Sequence, residues 1–287
     1  MPIKARPRDS RPARAEAWPG PAQSSPTWIG LDSVPEDCGP TVVTMGVFDG
    51  VHRGHARLIE RAVSLGRQSG LPVVLTTFDP HPASVVGQRR DTSLLTTLER
   101  RAALATDLGC AAVLVLPFDQ VMAQTSPEDF AAAVFDKALS ARAVLVGARF
   151  RFGHRGAGDI ARLKDLGACH GFAAHEVELR PGCSSTRVRE LLGKGDVRGA
   201  ARVLGRPHRA SVCGKPECRC APEKLPAPGT YVVDVNGVRR GTATIGKEGG
   251  ISLDGRTAVA IPTTVDFISR ADPGRDRAAV PDLSAIA

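Results

Sequence analysis

The chain has 287 residues, 42% of them hydrophobic and 24% charged, with a formal net charge of +8 and a pI near 9.4. That length suits one medium domain plus a small one, and no run approaches the roughly 18 consecutive apolar residues that a membrane-spanning helix needs. Much of the positive excess sits in Lys4, Arg6, Arg8, Arg11 and Arg14, and the remaining basic residues are spread among acidic ones, a balance that fits a small polyanion such as a nucleotide as well as it fits DNA.

Seven cysteines are an odd number, and no apolar export segment stands at the start. Reduced thiols and a cytoplasmic location are therefore expected. Residues 1–26 are rich in Pro, Arg, Ala and Ser without apolar periodicity, and read as a disordered basic tail, with a nucleic-acid arm as the alternative. From Thr41 short apolar runs alternate with helical patterns, the texture of βαβ units and a parallel sheet. Strands are predicted at 41–47, 72–78, 111–116, 143–146 and 172–177, and helices at 54–69, 98–108 and 127–139. The last of these helices has a full start signal: Ser126 as N-cap, Pro127 at the first helical position, Glu128 and Asp129 in the first turn.

Two further short helices are predicted at 185–192 and 197–204, stopped by Gly205-Arg-Pro207. Beyond them, 229–245 and 251–268 have a β-rich, Gly-punctuated texture. The expected organisation is a basic tail (1–26), an α/β domain with a parallel sheet (27–207), a small β-rich domain (208–271) and a loose tail (272–287).

The chemistry concentrates in Gly46-Val-Phe-Asp-Gly-Val-His-Arg-Gly-His55. A strand running through this segment straight into a helix sets His52 and His55 at a helix N-terminus. There the free N–H groups and the positive end of the helix dipole favour a phosphate, and Gly50 and Gly54 allow close backbone approach. The competing reading is a pair of surface histidines or metal ligands.

Asp79-Pro-His-Pro82 follows the second predicted strand, either as a rigid turn or as a ligand contact through Asp79 and His81. Ser184-Ser-Thr-Arg-Val-Arg189 opens a helix, either as an ordinary cap or as an anion site offering Ser185, Thr186 and Arg189. Arg149, Phe150, Arg151 and Phe152 follow the fourth strand and combine aromatic faces with cations.

In order and spacing these four motifs resemble the FMN adenylyltransferase domain of the bacterial bifunctional riboflavin kinase/FAD synthetase family, from about Trp28 to His208. The resemblance implies a Rossmann-like nucleotidyltransferase fold and transfer of AMP from ATP to FMN, giving FAD and pyrophosphate with Mg²⁺ on the nucleotide. By the same resemblance, His52, His55 and Arg189 carry the transfer. Gly46, Phe48, Asp49, Gly54, Ser185 and Thr186 line the ATP site, and Asp79, His81 and Arg149 to Phe152 face the flavin. ATP and FMN are the implied partners, with neither nucleic acid nor membrane.

The chain departs from the family at Arg149, where the family carries Asp or Asn, and after residue 208. The Gly-Phe-Pro-Thr-Ala-Asn segment of the riboflavin kinase barrel is not recognisable; only Leu225-Pro-Ala-Pro-Gly-Thr-Tyr-Val-Val233 resembles a barrel strand. Absence of kinase activity is expected. Cys213, Cys218 and Cys220 stand in that place, as reduced loop thiols or as part of a zinc site. A modified flavin or another phosphorylated acceptor remains an alternative to FMN, as does a non-catalytic nucleotide or flavin binder.

Overall fold

A computed structural model describes residues 25–87, 91–212, 223–237, 239–253 and 263–271. The two terminal tails expected at 1–26 and 272–287 lie outside these residues, apart from Ser25 and Pro26, as do the three clustered cysteines.

The chain forms two compact units. One comprises the residues up to Thr92 plus Leu98–Pro181; the other comprises Ser93–Thr97 and the chain from Gly182 onward. The Gly205-Arg-Pro207 stop marks the end of helical texture, while the division by packing assigns the two preceding helices to the second unit.

The first unit is built on six strands: β1 (Thr27–Ile29), β2 (Thr41–Met45), β3 (Val73–Asp79), β4 (Ala112–Pro117), β5 (Ala141–Gly147) and β6 (Ala173–Val177). They pair in parallel in the order β1-β4-β3-β2-β5-β6. Its helices are α1 (Arg53–Ser69), α2 (Pro82–Val85), α3 (Leu98–Asp107), α4 (Gln120–Gln124), α5 (Pro127–Phe130) and α6 (Ile160–His170). A parallel sheet requires crossovers that cover both faces, which is why β2 and most of β4 are buried along their whole length.

The period-2 alternation of side chains sorts these strands onto two cores. Val43, Met45, Val74, Leu114, Val144 and Val146 pack on one face with Phe130, Phe135 and Leu163. Val42, Leu75, Val113, Val115 and Leu145 pack on the other with Leu58, Ile59 and Ala62 of α1 and Ala102 and Ala105 of α3. Helix α1 approaches the sheet closely because Gly66 faces Val73; a Cβ there would stand 2.6 Å from Val73 Cγ2.

The predicted strands and helices are present with small differences in their ends. The predicted helix 127–139 begins as α5 and continues over Ala131–Ala138 with π-helical bonding, in which Leu139 N–H donates to Val134 O. Strand β1 and helices α2, α4 and α6 add to the sequence expectation.

The second unit contains α7 (Ser185–Gly193), α8 (Val197–Leu204) and five strands: β7 (His208–Val212), β8 (Gly229–Val235), β9 (Arg239–Ile245), β10 (Ile251–Leu253) and β11 (Thr263–Arg270). The strands form a curled antiparallel sheet in the order β10-β9-β8-β11-β7. Here one face is buried and the other is not: along β11, Thr263, Val265, Phe267 and Ser269 point inward and alternate with more exposed residues. Tyr231, Val233 and Phe267 pack with Leu95 and with Val188, Leu192, Ala200 and Leu204 of the two helices.

Candidate active site

After β2 the chain crosses to β3 and β4, then returns to β5 on the other side of β2. In open α/β sheets ligands settle outside the carboxyl ends of strands at such a reversal. Three of the sequence motifs lie at these ends: 46–55 after β2, 79–82 at the end of β3, and 147–153 at the end of β5.

The turn from β2 into α1 has an unusual backbone. Phe48, Gly50 and Val51 have φ of 51°, 83° and 36°. Glycine takes this region without cost, whereas for a β-branched valine it is an outlier. Neighbours hold the turn in place. Gly46 N–H donates to Thr76 O at 3.2 Å, and Val51 N–H to Phe48 O at 3.0 Å. The Phe48 ring is fully buried and lies edge-on to His55, with centroids 5.1 Å apart.

His52 is the N-cap of α1, and its Nδ1 accepts the His55 backbone N–H at 3.2 Å. A ring nitrogen that accepts carries no proton, so His52 is neutral with its proton on Nε2. The two imidazoles stack 3.7 Å apart at 18°. His55 is half-buried, and its Nδ1 is a buried atom with no hydrogen-bond partner. Burial first, then the neighbouring His52 and the Arg101 cation, hold its pKa well below the usual 6.5. A pair of neutral, stacked imidazoles at a helix N-terminus offers N–H donors to an anion without charge repulsion between the rings.

Asp49 is 1% exposed, and Gly54 is buried in the first turn of α1. Beneath the turn lies Arg101 of α3, 2% exposed. Its Nη1 donates to Thr77 Oγ1 at 3.0 Å and to Phe78 O at 3.2 Å, and its Nη2 is 4.0 Å from Asp49 Oδ1. Thr77 Oγ1 in turn donates to Val47 O at 2.8 Å. Sequence reasoning missed Arg101. The available signal was a cation three residues after Leu98 on the stripe that Ala102 and Ala105 continue.

At the end of β3, Asp79 is exposed, and its carbonyl accepts from Phe118 N–H at 3.0 Å. His81 caps α2 as His52 caps α1, its Nδ1 accepting from Ala83 N–H at 3.1 Å. After β5, Arg149 is exposed at φ 68°. Phe150 and Phe152 stack at 5.5 Å, with Phe152 buried against Phe130. Arg151 pairs at the surface with Asp159, 3.7 Å away.

Ser185, Thr186 and Arg189 belong to the second unit. Ser184 caps α7 by accepting from Arg187 N–H at 3.1 Å. Arg189 is buried, with Nε donating to Ser93 O at 2.8 Å. Among the described residues no three His, Cys, Asp or Glu side chains group as metal ligands, and none of the helices is long and apolar enough to cross a membrane.

The FAD synthetase family model matches residues 34–188. The bifunctional riboflavin kinase/FMN adenylyltransferase of Pseudomonas fluorescens is 34% identical over 256 residues, covering 81% of this chain and 81% of that protein. Its Escherichia coli K12 counterpart is 32% identical over 174 residues, 59% of this chain and 56% of that protein. The protein of the same description from Buchnera aphidicola is 27% identical over 176 residues, again with 56% of its length covered. The chain thus spans little more than half the length of the last two. Among solved structures, a macrolide-efflux protein from Streptococcus pneumoniae has the same fold, with a TM-score of 0.73 at 22% identity over 86% of this chain and 91% of that one. The chain belongs to the FAD synthetase family.

Proposed function

We propose that the chain is an FMN adenylyltransferase, joining the AMP moiety of ATP to FMN to give FAD and pyrophosphate. The observation that carries this reading is the pair of neutral imidazoles, His52 and His55, stacked at the N-terminus of α1 beside the sheet's switch point. In this reading the triphosphate lies against the first N–H groups of α1, with Gly46, Phe48, Asp49 and Gly54 forming the floor. Mg²⁺ enters as part of the MgATP substrate. A phosphate oxygen of FMN attacks the α-phosphorus, the bond from that phosphorus to the β-bridging oxygen breaks, and pyrophosphate leaves. His52 and His55 donate hydrogen bonds to the phosphoryl oxygens as their charge rises, and no covalent enzyme intermediate forms.

Arg189, Ser185 and Thr186 are assigned to the triphosphate, and Asp79, His81 and Arg149 to Phe152 to the flavin. A cytoplasmic setting accompanies the reading, and free thiols at Cys38, Cys110, Cys169 and Cys183 suit it. Riboflavin kinase activity is not part of it.

The test is to incubate the protein with ATP, Mg²⁺ and FMN and to follow FAD and pyrophosphate by chromatography. Formation of both is the expected result. Turnover with a flavin analogue but not with FMN would move the acceptor, and nucleotide binding without turnover would remove the enzymatic reading. Riboflavin in place of FMN is expected to give no FMN; ATP-dependent FMN production would overturn the kinase claim.

A further inference from the structure

We propose that Arg101 is a positioning residue for adenylyl transfer: its buried guanidinium tethers Asp49 and the end of β3, and through them the left-handed turn that presents His52 and His55. The inference rests on the reading of this site as an adenylyltransferase.

A guanidinium 2% exposed is costly to bury, and an apolar side chain of similar size would serve the packing of α3 as well or better. Arg101 is instead spent on three contacts around one turn. Through Thr77 it reaches the carbonyl of Val47, immediately before the turn. Through Phe78 O it holds the end of β3, and across 4.0 Å it faces the carboxylate of Asp49 inside the turn.

The turn requires such support. Phe48 and Val51 are both non-glycine residues at positive φ, a conformation that persists only where surroundings impose it. The Asp49 carboxylate, 1% exposed, needs a compensating cation close by. The charge has a second effect: His52 from the start of its own helix and Arg101 from α3 both act to lower the pKa of His55, while Asp49 and Asp79 face Arg101. A fixed cation nearby favours the neutral imidazole.

The experiment compares the intact protein with Arg101→Met, Arg101→Lys and Thr77→Val. It measures kcat and KM for MgATP and FMN across pH, together with histidine ring-proton titrations by NMR, which need no turnover. Arg101→Met is expected to lower kcat by about 100-fold with KM for FMN little changed, the scale of a misplacement of about 1 Å. Its acid limb and the His55 titration should both move to higher pH. Arg101→Lys should recover kcat to within about 10-fold and restore the titration, and Thr77→Val should cost about 10-fold, as expected for one lost hydrogen bond.

An Arg101→Met protein with unchanged kcat and His55 titration would overturn the proposal. So would an Arg101→Lys protein as impaired as Arg101→Met, since shape rather than charge would then be what matters. If Arg101→Met fails to fold, Thr77→Val decides: unchanged kcat and pH profile sink the idea, and a loss confined to kcat supports it. An unmodified protein that makes no FAD would remove the functional reading, while the His55 titration would still judge the tether.

Discussion

Both units bury ionisable side chains, and they finish them differently. Among the described residues of the second unit each such group ends on a firm partner: Arg189 on Ser93 O, His208 Nε2 on Lys224 O at 2.8 Å, and Glu223 on the N–H and hydroxyl of Ser211 at 3.2 and 2.9 Å. In the first unit His55 Nδ1, Arg101 Nε and the hydroxyls of Thr44 and Thr76 are buried without a hydrogen-bond partner. Native interiors satisfy nearly all such groups, so clustered exceptions call for an explanation. Here they lie on β2, β3 and the helices beside them, around the site where a phosphate is proposed to sit. The second unit uses buried polarity to fix its own architecture; the first leaves polarity in reserve.

The contrast can be broken by experiment. The largest effect is expected from His55→Ala, which should lower kcat by about 100- to 1,000-fold, the usual loss for one donor to a developing oxyanion. Thermal melting should be little changed. Chromatographic rates together with a melt check this, and an unaltered rate would make the unpartnered nitrogen irrelevant.

Next comes acid sensitivity of the second unit. Burial, the largest cause, lowers the pKa of His208 to about 4. The folded form therefore holds His208 neutral while the unfolded chain takes up a proton near 6.5. Stability is intact above about pH 6.5 and falls as pH drops toward about 4, by on the order of 3 kcal/mol in all. Tyr231, the chain's single tyrosine, is buried in that core and reports its unfolding. His208→Gln should flatten the dependence over this window; an unchanged slope would assign it to other groups.

Gly158→Ala is expected to be smaller. A Cβ there would stand 2.5 Å from Phe152 Cε1, so the loop after β5 must shift, at a cost of about 1 to 3 kcal/mol. The measurable signature is a lower melting point accompanied by a raised KM for FMN. A raised KM without destabilisation would uncouple that loop from the core.

Much of the parallel sheet was legible because doubly covered strands read as nearly continuous apolar runs: Val42 to Met45, interrupted by Thr44, and Ala112 to Leu116 have no other comfortable home. Strand β1 was not, since three residues after a proline-rich stretch carry no periodicity, and it is the pairing of Thr27 with Val113 that defines it. Helix α6 has both end signals, Asp159 as N-cap and Gly171 as a left-handed C-cap. The glycine-rich loop that runs up to Asp159 masked them.

At the site, the two histidines were legible because their spacing and flanking glycines act locally. Arg101 was not, because its role depends on Thr77 and Asp49, 24 and 52 positions away in the chain. A charge on an apolar stripe was the trace it left.

The membership of Ser93–Thr97 in the second unit bears on how the chain is made. Leu95 belongs to that unit's core, and Ser93 accepts from Arg189 across 96 residues. At an elongation rate of roughly 5 to 20 residues per second, this short segment waits about 5 to 20 s on the ribosome before its partners exist. The first unit can begin to order around α1 in the meantime, while an apolar leucine stays uncovered. Slower translation between codons 97 and 204 is expected to lengthen that exposure.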